Sequence, residues 1–269
     1  MRRRLDAELL RRGLAASRAE AAAAIREGRV TVSGSPAVKA ATLVAPEDPL
    51  VILGPARRFA SRGGEKLDAA IERFAVEVAG RRCVDAGAST GGFTDCLLRR
   101  GAAEVVAVDV GYGQLAWRLR EDPRVTVLER TNARDLRRDD LPFAAEVVTA
   151  DLSFIALASV VPALVSWATP GADLILLVKP QFEAGRGAVG KGGVVSDPGA
   201  WRAAMSAVAG ALEAAGAGVQ AAMASPLLGP AGNAEFFLHA RPGAPSAAPG
   251  LDAAVEEAAG LRAAVGRPA

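Results

Sequence analysis

The stretch Cys83-Val-Asp-Ala-Gly-Ala-Ser-Thr-Gly-Gly-Phe93 constrains this chain more than any other. A short apolar run ends in a carboxylate, three glycines follow within six residues, and an apolar helical pattern begins at once. Such a strand, tight turn and helix form the first half of a βαβ unit, in which glycine lets the backbone approach a ligand and the helix start offers free amides.

The pattern downstream repeats the alternation. Strands are expected over 82–86, 104–110, 125–128, 146–150 and 173–178, with helices over 93–100, 114–120, 156–167 and 201–215 between or after them. This predicts a doubly wound, mostly parallel α/β sheet of Rossmann-like type. Two further strands, over 219–224 and 235–240, are joined by a short loop and should lie antiparallel at the sheet edge. The run Leu174-Ile-Leu-Leu-Val178 reads as a strand buried on both faces, yet it ends in Lys179 and Pro180. The helix-breaking proline stops the strand where the lysine reaches the sheet edge.

The first sixty residues have a different character. They hold 11 Lys and Arg against 6 Asp and Glu, whereas the remainder holds 21 against 24. Leu5, Leu9 and Leu10 form a helical stripe stopped by Gly13. Ser17 and Glu20 have capping-box spacing for a second helix over 18–27, and strands follow at 29–32 and 50–53. The domain boundaries expected are a small α+β domain at 1–53, a linker at 54–60, the sheet domain at 61–242 and a flexible tail at 243–269. The basic excess of the small domain suits a polyanion, and Arg3, Arg4, Arg18 and Lys39 are its candidate phosphate contacts.

Several classes fall away. The longest apolar span, residues 154–168, contains Pro162 and two serines and is short of the roughly 20 residues that cross a bilayer, so a cytoplasmic chain without membrane partner is expected. Cys83 and Cys96 and the single His239 read as packing residues, leaving no shell for a metal. The dinucleotide spacing G-x-G-x-x-G is absent, since Gly87 is followed by Ala88 and Ser89, which argues against a dehydrogenase. A carboxylate before the first glycine, Asp85, and a second ending the next strand, Asp109, instead suggest a site for S-adenosyl-L-methionine. Its expected contacts are Asp85, Gly87, Ala88, Ser89, Thr90, Gly91, Asp109, Val110, Asn132 and Asp151. Ligands of such sheets lie outside the carboxyl ends of the strands. Asp151 and Lys179 end parallel strands there, Glu235 begins an antiparallel one, and Lys66 starts a helix leading in. Two lysines and two carboxylates are thus expected to converge on one edge.

The segments SRGGEKL, DAGASTGGFTD, VDVGYGQLAW, ERTNAR, ADLSFI, LVKPQFE and SPLLGPAGNAEFF resemble the TlyA family of bacterial ribosomal RNA 2'-O-methyltransferases, related to the FtsJ type. RLDAELLRRGLAASRAEAAAAIREGRVTVSG is similar to the small RNA-binding domain named after the fourth protein of the small ribosomal subunit. The resemblance implies a catalytic Lys66, Asp151, Lys179 and Glu235 tetrad. It also implies cytidine 2'-hydroxyls of ribosomal RNA, in one or both subunits, as substrate, and a monomer acting on RNA or ribosomal subunits. The tetrapeptide Arg57-Arg-Phe-Ala60 departs from the Arg-x-Trp-Val linker of relatives. Family members are also described as haemolysins, so a membrane-active protein and an RNA-binding module without methyl transfer stand as the alternative functions. The glycine-rich segment 184–193 reads as a mobile loop beside the cleft.

Overall fold

The structure, a computed structural model, describes residues 2–15, 18–26, 28–54, 58–183, 190–229, 231–247 and 249–265. It divides into two compact units, Met1–Ser61 and Arg62–Ala269.

The first unit is built from β1 (Arg3–Arg4), α1 (Leu5–Arg11), α2 (Arg18–Arg26), β2 (Val30–Val32), β3 (Ser35–Pro36), β4 (Leu43–Val44) and β5 (Leu50–Ile52). Strand β1 pairs with β4, and β2 lies between β3 and β5, all antiparallel. Leu5 and Leu9 of the expected stripe meet Ala21, Ala24 and Ile25 of α2 in a core completed by Val30, Val44 and Leu50. Helix α2 ends as its sequence suggests. Gly28 takes φ +70° and donates to the Ile25 carbonyl while Arg29 donates to that of Ala24, satisfying two carbonyls that a helix end leaves open. The proposed cap Ser17 lies outside the described residues.

The second unit opens with α3 (Arg62–Arg73) and continues through β6 (Arg82–Ala86), α4 (Gly92–Arg99), β7 (Glu104–Val108), α5 (Trp117–Arg120), β8 (Val125–Leu128) and β9 (Ala145–Ala150). Next come α6 (Val161–Trp167), β10 (Ala168–Val178), α7 (Pro180–Glu183), α8 (Pro198–Ala214), β11 (Ala217–Ala224), β12 (Phe236–Pro242) and α9 (Leu251–Val265). The seven strands run in the order β11-β12-β10-β9-β6-β7-β8. The five from β10 to β8 are parallel, and β12 is antiparallel to both its neighbours. The order reverses between β6 and β9, where sheets of this type bind ligands.

Leu174 to Val178 are all buried, as a strand covered on both faces requires. Val84, Val148, Leu174, Leu176, Phe236 and Leu238 share one core with Trp167, Trp201, Met205 and Leu212 of the helices. On other strand positions, Phe237 stacks with Phe93 of α4, and His239 stacks with Phe74 beyond α3. His239 is a strand residue, as expected, and its Nε2 lies 2.7 Å from Asp173. Burial pushes the Asp173 carboxyl up, but His239, Arg81 and Arg241 outweigh it and hold the group below the usual carboxylate range.

Three expectations need correction. The helix near 114–120 is confined to Trp117–Arg120, because Gly111 and Ala116 before it are drawn into loop bonds to Asp109 and Thr90. Helix α6 starts only at Val161, after a separate 3-10 turn at Leu157–Ser159. The tail, expected to be mobile with at most one weak helix, carries α9, and it is the packing of Ala254 and Ala258 into the main core that departs from the expectation. Two alanines one turn apart give a faint apolar stripe in sequence, yet they allow close packing. Glu257 adds a bond to the Ala224 amide of edge strand β11.

Candidate active site

The glycine turn after β6 is stitched to both neighbouring strands. Gly87 and Ala88 donate to the Val108 carbonyl at 2.8 and 3.1 Å, and Asp151 donates to the Ala86 carbonyl at 2.9 Å. Gly87 has φ +84°, and a Cβ there would sit 2.4 Å from the Asp151 carbonyl oxygen. Only glycine lets the ends of β6 and β9 approach so closely. Asp109, just past β7, accepts from the Ser89 amide at 2.7 Å and the Gly111 amide at 2.6 Å, fixing the turn against the next loop.

These strand ends enclose a cavity of about 300 Å³. Of the residues expected at a cofactor, Gly87, Ser89, Asp109, Val110, Asn132 and Asp151 line it. Gln114, Thr131, Ala133 and the run 152–155 also line it and were not anticipated, since nothing in their local spacing marks them. Among the described residues the lining contains two carboxylates, Asp109 and Asp151, and no lysine or arginine. That charge pattern suits a cationic ligand and disfavours a pyrophosphate.

Four expected contacts fall outside the lining. Ala88 is buried, and the Thr90 carbonyl accepts from the Ala116 amide. Gly91, at φ +94°, caps α4 where Leu115 and Leu119 occupy the space of a side chain. Asp85 is fully buried beneath the turn, where Thr94 donates to it at 2.7 Å and Thr149 at 3.2 Å. Burial raises its carboxyl to about 7, against the Thr94 bond and with repulsion from Asp151 adding to the rise.

The two lysines and two carboxylates form two ion pairs at the same edge. Lys179 and Asp151 follow adjacent parallel strands, and Lys179 Nζ lies 2.5 Å from Asp151 Oδ1. The same Nζ donates to Ser153 Oγ at 3.1 Å and stands 5.9 Å from the Phe182 ring centroid. Glu235 sits one residue beyond the Val178–Phe236 pair of β10 and β12, which places it beside Lys179 in register. Its carboxylate, however, pairs with Lys66 of α3 at 2.5 Å, both side chains being buried. Above it, a Cβ on Gly229 would meet Glu235 Oε1 at 2.5 Å, so the loop before β12 is also shaped around this carboxylate. Phe154 has φ +66°, is 93% exposed, and contacts Phe182 at 5.5 Å between centroids.

The first unit divides its four candidate phosphate contacts. Arg3 and Lys39 are exposed. Arg4 and Arg18 are exposed too, but they also converge on Asp6 at 3.0 and 2.9 Å. The Arg4 bond outweighs burial, and with Arg18 it brings the Asp6 carboxyl down to about 2. In the linker, Arg58 lies over the Phe59 ring at 4.8 Å and Phe59 is buried, while Arg57 is outside the described residues. Most of the glycine-rich loop, residues 184–189, is likewise outside them.

Comparison with known proteins agrees with this division. Residues 59–242 match the model of FtsJ-like methyltransferases, and residues 3–50 match that of the S4 domain. The chain is 55% identical over 260 residues to the 16S/23S rRNA (cytidine-2'-O)-methyltransferase TlyA of Mycobacterium tuberculosis (strain ATCC 25618 / H37Rv), covering 96% of this chain and 97% of that one. It is 39% identical to Hemolysin A of Brachyspira hyodysenteriae over 72% of this chain and 81% of that one. A solved, hemolysin-named structure from Streptococcus thermophilus superposes with a TM-score of 0.79 at 33% identity, over 98% of both chains. Among the described residues no helix is long and apolar enough to cross a membrane. The chain belongs to the FtsJ-like methyltransferase family and carries an N-terminal S4 domain.

Proposed function

We propose that this enzyme methylates the 2'-hydroxyl of cytidine in ribosomal RNA of one or both subunits, using S-adenosyl-L-methionine. The observation that carries the reading is the position of Asp151, which lines the cavity and at the same time pairs with Lys179. The cavity's two carboxylates, with no basic side chain among its described lining residues, fit the cofactor's positive charge. Asp109 would hold its ribose hydroxyls, and Gly87 and Ser89 its amino-acid end. Asn132, whose Oδ1 already accepts from the Arg134 amide, would offer its NH2 beside Val110 and Ala133 to the adenine. When bound, S-adenosyl-L-methionine supplies an electrophilic methyl carbon on its sulfonium.

The protein's own task is to make a ribose hydroxyl nucleophilic and aim it. A 2'-oxygen gains negative charge as it attacks, and Lys179 is the cation placed to stabilise that charge. A carboxylate, a hydroxyl and an aromatic face surround Nζ, a setting that suits an ammonium acting as a fixed charge. Asp151 orients it and is the acceptor for the hydroxyl proton. Its Oδ1 is shielded from water and makes no hydrogen bond of good geometry despite the nearby ammonium. Lys66 and Glu235 hold each other, with Glu235 beside Lys179 in the sheet register. Positioning of this kind supplies several kcal/mol of barrier reduction, on the order of 7 in favourable cases.

The S4 domain would dock the RNA through Arg3 and Lys39, with Arg4 and Arg18 contributing less because Asp6 already engages them. A ribosomal substrate implies action in the cytoplasm. Single-turnover transfer of a labelled methyl group to ribosomal RNA tests the reading, with nuclease mapping of the modified ribose. Label on a cytosine base or on protein, and none on a ribose, would refute it. Liposome leakage tests the haemolysin reading, for which no structural observation speaks.

A further inference from the structure

Glu183 reaches across 26 residues of sequence to the loop that follows Asp151. Its Oε1 accepts from the Leu157 amide at 2.5 Å and its Oε2 from the Ala158 amide at 3.4 Å. These amides open the 3-10 turn Leu157–Ser159, whose own cap position, Ala156, has no side chain able to bond them. From these contacts we infer that Glu183 is a positioning residue for methyl transfer, which acts by pinning the loop 151–156; the inference rests on the reading of Asp151 and Lys179 given above.

The loop is fixed at its other end by the Asp151 amide on the Ala86 carbonyl. Between the two pins, Phe154 holds a left-handed backbone, a conformation that is strained for a bulky residue and persists only where the surroundings impose it. Glu183 is part of what imposes it. Helix α7 starts immediately after Lys179, so one short segment grips the loop repeatedly. Lys179 meets Asp151 and Ser153, Phe182 meets Phe154, and Glu183 takes the amides beyond. Burial raises the Glu183 carboxyl above its ordinary value, against both amide bonds, so a half-buried acid is kept here at a desolvation cost. Released from it, the loop would relax and carry Asp151 and Ser153 out of register with the ammonium. A misplacement of about 1 Å is enough to slow a positioned reaction about 100-fold.

The experiment compares Glu183→Ala and Glu183→Gln in the full chain. It measures kcat and KM for ribosomal RNA, thermal midpoint, and hydrogen exchange over residues 152–160. The alanine variant should lose at least about tenfold in kcat, with faster exchange in that segment and KM for RNA changed less than kcat. Glutamine keeps one oxygen for the Leu157 amide and should recover part of the loss. Wild-type kcat in the alanine variant, unchanged exchange, or a glutamine variant no better than alanine each overturns the inference. Asp151→Ala and Lys179→Ala run alongside. If they are inactive while Glu183→Ala is normal, only the role of Glu183 fails; if they turn over normally, the reading of the site itself fails.

Discussion

Lys66 and Glu235 stand 169 residues apart in the chain, yet Nζ and Oε2 lie 2.5 Å apart in the interior. Such a pair is costly to break, because removing one partner strands a buried charge. Lys66→Ala should destabilise the domain by about 3–5 kcal/mol. The double variant Lys66→Met/Glu235→Gln should recover much of that stability while methyl transfer stays impaired. Urea unfolding and single-turnover assays on the same preparations check both parts. Full activity in the double variant would show the pair to be structural only.

Asp85 gives a pH signature. Its carboxyl titrates at about 7 in the folded protein, against an ordinary value near 4, so the folded state binds the proton more tightly. The sign follows: its contribution to stability is greatest at low pH, declines as pH rises from about 4 to about 7, and is level above. Asp85→Asn keeps bonding partners for Thr94 and Thr149 and removes the titration. The stability of this variant relative to wild type should therefore rise across that window and then plateau. A difference independent of pH would contradict the assignment.

Gly87→Ala should damage the cavity directly. The new Cβ meets the Asp151 carbonyl at 2.4 Å and the left-handed φ adds strain of about 1–3 kcal/mol. Calorimetry with S-adenosyl-L-methionine should show at least about a tenfold loss of affinity, since 1.4 kcal/mol suffices for that. NAD should bind neither form.

For the S4 domain, Arg3→Ala and Lys39→Ala should each lower the salt slope of RNA binding by about one. Arg4→Ala should lower it less, because its charge is already shared with Asp6. Filter binding across a salt series separates the two outcomes, and equal slopes for all three variants would mean that Asp6 does not screen Arg4.

The sheet and the strand-end residues were legible because each depends on local pattern. An apolar run closed by glycine or proline states where a strand stops, and the rules of parallel sheets then place Asp109, Asp151 and Lys179 on one edge. Glu235 and Lys66 are legible as members of the cluster, but their pairing with each other is not, since a contact across 169 residues leaves no trace in spacing. Asp85 reads in sequence as a cofactor contact, and its burial and its bonds to Thr94 and Thr149 are features that local spacing does not show. Arg4 and Arg18 look free in sequence until the fold brings Asp6 between them. Glu183, Ser153 and Gln114 carried no signal beyond their neighbours, and α9 looked too alanine-rich to pack.

Single-turnover methylation of ribosomal RNA by Lys179→Ala, with affinity for S-adenosyl-L-methionine measured on the same protein, tests the central claim most directly. The expected result is near-normal cofactor affinity with a rate reduced by at least about 100-fold, as loss of a preorganised charge at a developing oxyanion costs. Transfer at the wild-type rate would contradict the role given to Lys179 and, with it, the account of the site.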